Sequence, residues 1–218
     1  MKTNLVLAAL VMGTSALMAA CSKTPTSVDP NSAASPFTQA FHAEVAKNTD
    51  LADPANNADA RKGLIAKPTG KVLNDAGEVI WDYDEFNFIE GNAPSTVNPS
   101  LWRQASLNNQ IGLYKVADRI YQLRGFDLSN MTLIEGDTGW IVVDVLTSEE
   151  TARAAMAFAR KHLGDKPVTA IVFTHSHVDH FGGALGVLSA EEVAARNVPV
   201  VAPIGFMEEA TSENLLVG

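Results

Sequence analysis

The chain has 218 residues, 46% of them apolar, which is enough for one ordinary domain with an additional segment. Acids outnumber bases, 25 Asp and Glu against 16 Lys and Arg, giving a formal charge of −9. No basic stripe interleaved with aromatics interrupts that balance, which argues against nucleic acid as a partner.

The first residues read as a targeting segment. Lys2 supplies a positive start, Leu5 to Ala20 is apolar and uncharged, and the run closes on L-M-A-A before Cys21. It is too short and too early for a spanning helix. The pattern resembles a bacterial lipoprotein signal, with residues 1–20 as the signal peptide and Cys21 as the lipidated N-terminus. Met18 stands where Leu is usual, with Leu17 one place earlier. The alternative is an ordinary cleaved signal. Cys21 is the only cysteine, so the mature chain forms no internal disulfide and offers no thiolate to a metal. Loss of residues 1–20 removes Lys2 and no acid, which takes the formal charge from −9 to −10. Ser22 after the cysteine resembles outer-membrane sorting, so the expectation is a lipid anchor in the bacterial envelope, on the outer membrane facing the periplasm.

Residues 21–36 are rich in Ser, Thr and Pro and read as a disordered tether. Residues 37–113 read as an N-terminal extension. Within it Phe37 to Lys47 suits a short helix, Val79 to Trp81 a strand, and Leu101 to Leu113 a partial helix ending near Gly112. From 114 onward the pattern sharpens. Ile120 to Arg124 suits a strand, and Met131–Glu135 and Trp140–Val145 flank the hairpin-type turn Gly136-Asp137-Thr138-Gly139. Ser148 caps a helix with Glu149 and Glu150 in its first turn. Ala152, Ala155, Met156, Ala159 and Leu163 fall on one face, and Gly164 ends the helix. Val168 to Phe173 is a buried strand, followed later by a helix around Ser189–Arg196 and a strand at Pro199–Ala202. The order is that of an α/β layer unit. Trp140 and Phe126 read as core.

Between that buried strand and a Gly pair lies T-H-S-H-V-D-H-F-G-G, Thr174 to Gly183. His175 and His177, two apart, point the same way from extended backbone and can grip one metal ion. Asp179 and His180, adjacent in a turn, can address a second position beside it. Imidazole with carboxylate suits zinc, and also manganese or iron. Two such ions ~3.5–4 Å apart supply hydroxide at neutral pH by lowering the pKa of bound water. Gly182 and Gly183 allow a tight backbone turn and close helix packing. Three of the five histidines plus an aspartate within six residues are poorly explained as a helix cap.

The spacing His-x-His-x-Asp-His resembles the metallo-β-lactamase superfamily. With N-P-S-L-W-R-Q-A, R-G-F-D-L-S-N-M-T-L-I-E-G-D-T-G-W-I-V-V-D and A-P-I-G-F-M-E-E-A-T-S-E-N, the chain is similar to the alkyl sulfatase branch from about Val79 to Gly218. The resemblance implies an α/β fold, the N-terminal part of a metallo-β-lactamase-like αββα sandwich, with residues 114–218 as its first half. It implies a two-zinc enzyme that releases alcohol and sulfate from long-chain primary alkyl sulfates such as dodecyl sulfate, with water attacking carbon and the C–O bond breaking. His175 and His177 would hold the first Zn2+, and Asp179 and His180 the second, with Asp179 as the candidate catalytic carboxylate. Asp144, at a strand end, is either a support for the ligand loop or an ordinary polar terminus. Glu208, Glu209 and Glu213 could serve as extra ligands but read better as a solvated helix face.

Four donors do not complete a dinuclear site. The resemblance places two further glutamates and a histidine downstream of the Gly pair, along with sulfate-binding groups and a dimerisation region. His42 and His162 do not stand in for them by position. The chain alone is therefore expected to bind metal weakly and to turn over little. A homodimer is expected only of the longer protein. Two other readings stand beside the alkyl sulfatase: another superfamily hydrolase acting on a thioester, lactam or phosphodiester, and an inert truncated lipoprotein.

Overall fold

The computed structural model describes residues 33–51 and 53–216. The signal, Cys21 and most of the tether lie outside the described residues. Among those described, no helix is long and apolar enough to cross a membrane.

The extension is more structured than its composition suggests. Helix α1 (Pro36–Asn48) starts where Ser35 accepts a hydrogen bond from the Thr38 N–H. Helix α2 (Pro54–Arg61) is capped by Asp53 in the same manner. Both begin with proline, whose fixed φ suits a first helical position. Strand β1 (Leu64–Ala66) follows, then a two-stranded ribbon of β2 (Lys71–Leu73) and β3 (Val79–Asp82). Helix α3 spans Pro99–Asn108, capped by Asn98. It stops four residues before the expected end, because Gly112 opens strand β4 (Gly112–Ala117) instead of closing a helix. A Cβ at Gly112 would stand 2.7 Å from the Ala66 carbonyl oxygen, so the glycine is there for the close approach of β1.

The main sheet continues with β5 (Ile120–Arg124), β6 (Met131–Glu135), β7 (Trp140–Val143), β8 (Val168–Val172) and β9 (Val200–Val201), in the order β1-β4-β5-β6-β7-β8-β9. It is antiparallel as far as β7 and parallel from β7 to β9. A parallel neighbour requires a crossover, and α4 (Glu149–Leu163) provides it between β7 and β8. Ser148 accepts from the Thr151 N–H, Glu149 and Glu150 sit at the positive end, and Arg160, Lys161 and His162 at the negative end. Thr151, Ala152, Ala155, Met156 and Ala159 form its buried face.

The register puts Leu133 opposite Val142 and Val142 opposite Ile171, all on the face that α4 covers. Leu113, Leu123, Met131 and Trp140 complete that core, each at most 1% exposed, and each large apolar side chain so buried stabilises the fold by ~1.5–3 kcal/mol. Phe126 joins it, edge-on to Tyr83 and tilted against Phe158. Burial drives the Tyr83 phenol pKa upward. On the other face Ile134, Ile141, Val143 and Val172 are only half-buried. This is a mixed α/β layer of the kind expected for part of an αββα sandwich.

Past β8 come two single-turn helices, α5 (Val178–Phe181) and α6 (Ala184–Val187), then α7 (Ala190–Arg196) and α8 (Phe206–Leu216). A reciprocal capping box between Ser189 and Glu192 starts α7, and Asn197 in the left-handed region ends it.

Candidate metal centre

The sheet brings four chain segments to one edge: the ends of β5, β7 and β8 and the start of β6. The T-H-S-H-V-D-H loop leaves β8 at this edge. Its three imidazoles gather there, His175 with ring centroids 4.6 Å from His177 and 4.0 Å from His180. The His180 Nε2 lies 3.3 Å from the Asp179 carboxylate. All four expected donors are thus brought together. Among the described residues, however, no group of three or more His, Cys, Asp or Glu side chains is arranged to cage a metal ion. The reason is visible in the contacts: Asp179 is turned to His180, and the His177 Nε2 is turned to Glu213 at 3.5 Å.

The donor chemistry nevertheless fits a divalent metal, because hydrogen bonding leaves two of the rings with one free nitrogen each. Asp144 is 6% exposed and sits in the left-handed region, φ 56, at the end of β7. Its Oδ1 accepts from the Thr174 N–H at 2.8 Å, and its Oδ2 accepts from the Thr174 hydroxyl at 2.8 Å and from the His180 Nδ1–H at 2.7 Å. Thr174 has one hydroxyl proton, and Asp144 takes it. The Thr174 oxygen, 2.9 Å from the His175 Nδ1, therefore accepts from that nitrogen. Asp144 thus sets the tautomer of His180 directly and of His175 through Thr174, leaving Nε2 of each as the lone-pair donor. A carboxylate behind a ligating imidazole fixes both ring orientation and basicity.

The loop rests on the β7–α4 connection. Val145 N–H donates to the His180 carbonyl, and Gly183 N–H donates to the Leu146 carbonyl. Leu146 has φ 68, a conformation costing a branched side chain ~1–2 kcal/mol, and its complete burial holds it. The role expected of the Gly pair needs correcting in its cause. Gly182 and Gly183 have ordinary negative φ values of −59° and −82°. What they supply is clearance: a Cβ on either would stand 2.2 Å from the Thr147 or Val145 carbonyl oxygen.

Two residues at this edge lie in the R-G-F-D-L-S-N block, whose spacing gives them no role. Asp127, 6% exposed, accepts from Thr147 N–H at 3.0 Å, from the Thr147 hydroxyl at 2.6 Å and from the Thr151 hydroxyl, and so ties the β5–β6 loop to the start of α4. Ser129, two residues on, donates its hydroxyl to the Asp179 carbonyl. The same loop borders a cavity of about 640 Å³ lined by Leu128 and Asn130 together with Trp81, Tyr83, Phe86 and Ile111. The third surprise is Glu213, which leaves the solvated face assigned to it and meets His177.

Residues 124–217 match the family model described as the metallo-beta-lactamase superfamily. Within it, the likeness is to alkylsulfatases. The chain is 50% identical over 186 residues to an (R)-specific secondary-alkylsulfatase from Pseudomonas sp, covering 85% of this chain and 28% of that protein. It is 46% identical over 198 residues to a linear primary-alkylsulfatase from Pseudomonas sp, covering 83% of this chain and 29% of that one. The solved structure of the stereoselective inverting sec-alkylsulfatase Pisa1 from Pseudomonas sp. matches with a TM-score of 0.80 and 49% identity, over 86% of this chain and 30% of that chain. The chain spans less than a third of the length of these relatives.

Proposed function

We propose that this chain carries part of the active site of a zinc-dependent alkyl sulfatase, which hydrolyses long-chain alkyl sulfates to alcohol and sulfate. The observation that carries the reading is the reach of the likeness: half of the residues agree over 186 positions, well outside the metal loop itself. The prepared nitrogens of His175 and His180 agree with it.

In this reading His175 and His177 hold one Zn2+, and Asp179 and His180 a second. Bound zinc acts as a Lewis acid and makes hydroxide available near neutral pH. Asp144 would hold the proton on the outer nitrogen of His180, and Thr174, itself donating to Asp144, that of His175, so that neither ring turns its N–H inward. Ser129 fixes the backbone from which the Asp179 carboxylate projects. An oxygen–carbon bond forms as the carbon–oxygen bond to sulfate breaks, and the sulfate leaves with the electron pair. The apolar walls of the cavity beside the 125–130 loop, Trp81, Phe86 and Ile111 among them, suit an alkyl chain, and its volume is of the size that ligand sites use. Anchoring through Cys21 to the outer membrane, and dimerisation of the longer protein, belong to the same proposal. A labelled fatty acid carried by the native protein and lost in Cys21→Ser tests the anchor.

The activity test uses the product of the whole reading frame that contains this chain, loaded with zinc. Sulfate release is followed from dodecyl sulfate and from a secondary alkyl sulfate, which separates the primary from the secondary class. Release is expected from one or both, and its loss in His175→Ala. Turnover of a thioester, β-lactam or phosphodiester in their place, or undiminished release in His175→Ala, overturns the reading.

A further inference from the structure

Two of the three clustered histidines owe their orientation to Asp144; the third does not touch it. The His177 Nε2 instead faces the Glu213 Oε1 at 3.5 Å, both side chains being about half exposed. Glu213 comes from α8, an element far along the chain from the metal loop and separate from the sheet.

The packing of α8 makes this contact a product of the fold rather than of a loose surface pair. Phe206 stacks on Phe173 at 5.5 Å and meets Phe181 edge-on at 5.3 Å. Phe173 immediately precedes the metal loop, and Phe181 immediately follows His180. Ala210, one turn on, is buried. Glu213 is seven residues from Phe206 and three from Ala210, so it lies on the same helical face, one turn further along. Glu208 and Glu209 lie on the exposed side. The aromatic clamp that grips the loop from both flanks therefore aims one glutamate of the three at His177.

We propose that Glu213 is the positioning residue of His177: it accepts from the Nε2–H and so presents Nδ1 to the metal. The inference rests on the proposed metal reading. It gives each imidazole an oxygen beside one nitrogen, with Nε2 of His175 and His180 and Nδ1 of His177 as the proposed metal-facing atoms; the His180 Nε2 faces the Asp179 carboxylate, its expected partner at the ion. Outer partners of this kind are commonly worth 10–100-fold in metal affinity.

The test uses the full chain with Glu213→Ala, Glu213→Gln and, as a control on the exposed side of the helix, Glu208→Gln. Long-range proton–nitrogen NMR reads the His177 ring in metal-free protein, and chelator competition reads Zn2+ affinity. The native ring is expected in its Nε2–H form, reverting toward a mixture in Glu213→Ala. Zn2+ affinity is expected to fall by about 10-fold in Glu213→Ala and to stay near native in Glu213→Gln, whose side-chain oxygen still accepts, and in Glu208→Gln. A His177 ring unchanged by Glu213→Ala, or an unchanged affinity, overturns the proposal. Equal loss in Gln and Ala variants also overturns it, since that marks Glu213 as a direct ligand. If the native chain takes up no Zn2+ while the ring form still depends on Glu213, the metal reading fails and the hold of Glu213 on His177 stands.

Discussion

The Asp144 Oδ2 accepts the His180 Nδ1–H at 2.7 Å, and the same oxygen accepts the hydroxyl proton of Thr174. One buried carboxylate oxygen thereby governs two imidazoles. Replacing Asp144 by Asn keeps the size but puts an NH2 where one oxygen stood, so that either the Thr174 N–H, or the Thr174 hydroxyl and the His180 Nδ1–H together, meet N–H groups. Asp144→Asn is expected to weaken Zn2+ binding by about 10–100-fold while the chain stays folded. Chelator competition with a parallel thermal melt reads both; undiminished affinity in a folded variant would remove Asp144 from the site.

The clearance at Gly183 leads to a prediction about stability. A Cβ there meets the Val145 and Ser148 carbonyl oxygens at 2.2 and 2.6 Å. These are backbone atoms at the start of the connection that carries α4, so they cannot step aside as a flexible side chain would. In an unconstrained helical position Gly→Ala stabilises by ~0.4–1 kcal/mol through the unfolded chain. Here overpacking should exceed that gain, for a net loss of about 1–3 kcal/mol. The midpoint of urea unfolding measures it, and an unchanged or raised midpoint would refute the close packing.

What could be read from the sequence follows the range of the interactions involved. The β6–β7 hairpin, α4, β8 and α7 announce themselves because a turn, a cap and a periodic apolar face all lie within a few residues of one another. The three-residue strands β1 and β2 have no such signal. β1 exists because Leu64 and Ala66 pair with Tyr114 and Leu113, some fifty residues away. The same rule divides the site. His175, His177, Asp179 and His180 are legible by spacing alone, and Asp144 half so, since a strand end is a common place for an acid. Asp127, Ser129 and Glu213 stand in the blocks similar to the alkyl sulfatases, but their contacts are not legible there: Asp127 meets Thr147 across 20 residues and Ser129 meets Asp179 across 50. Glu213 is singled out from Glu208 and Glu209 only by the ring stack that orients its helix.

Asp127 is expected to matter for the fold more than for metal. It gathers one backbone N–H and two threonine hydroxyls from residues 147–151, the segment on which the Gly pair rests. Asp127→Ala leaves those donors facing an apolar side chain, and each buried unsatisfied group costs ~1–3 kcal/mol. A destabilisation of about 1–3 kcal/mol is expected, and the double variant Asp127→Ala with Thr151→Val should cost less than the sum of the two single changes, because the Asp127–Thr151 contact is then lost only once. Simple additivity of the two losses in urea unfolding would contradict the shared network.

At the opposite end of the sheet, Lys166 donates to Glu135, the last residue of β6, and its ammonium lies 5.3 Å from the centre of the Trp140 ring. The hydrogen bond from Lys166 holds the Glu135 carboxyl below its ordinary range. A carboxylate whose folded pKa is depressed contributes stability that is present above its unfolded value, ~4.3, and is lost as pH falls through the folded value. Glu135→Gln should therefore melt slightly below the native chain at neutral pH, and the gap should close on acidification into and below the carboxylate range. Both partners are partly solvated, so added salt should narrow the gap as well. Because this pair joins the β6–β7 hairpin to the end of the α4 crossover, away from the histidines, Zn2+ affinity in Glu135→Gln should equal that of the native chain. A melting gap that widens with acid would reverse the sign of the linkage and show that the pair is stabilised by something other than the ionised carboxylate.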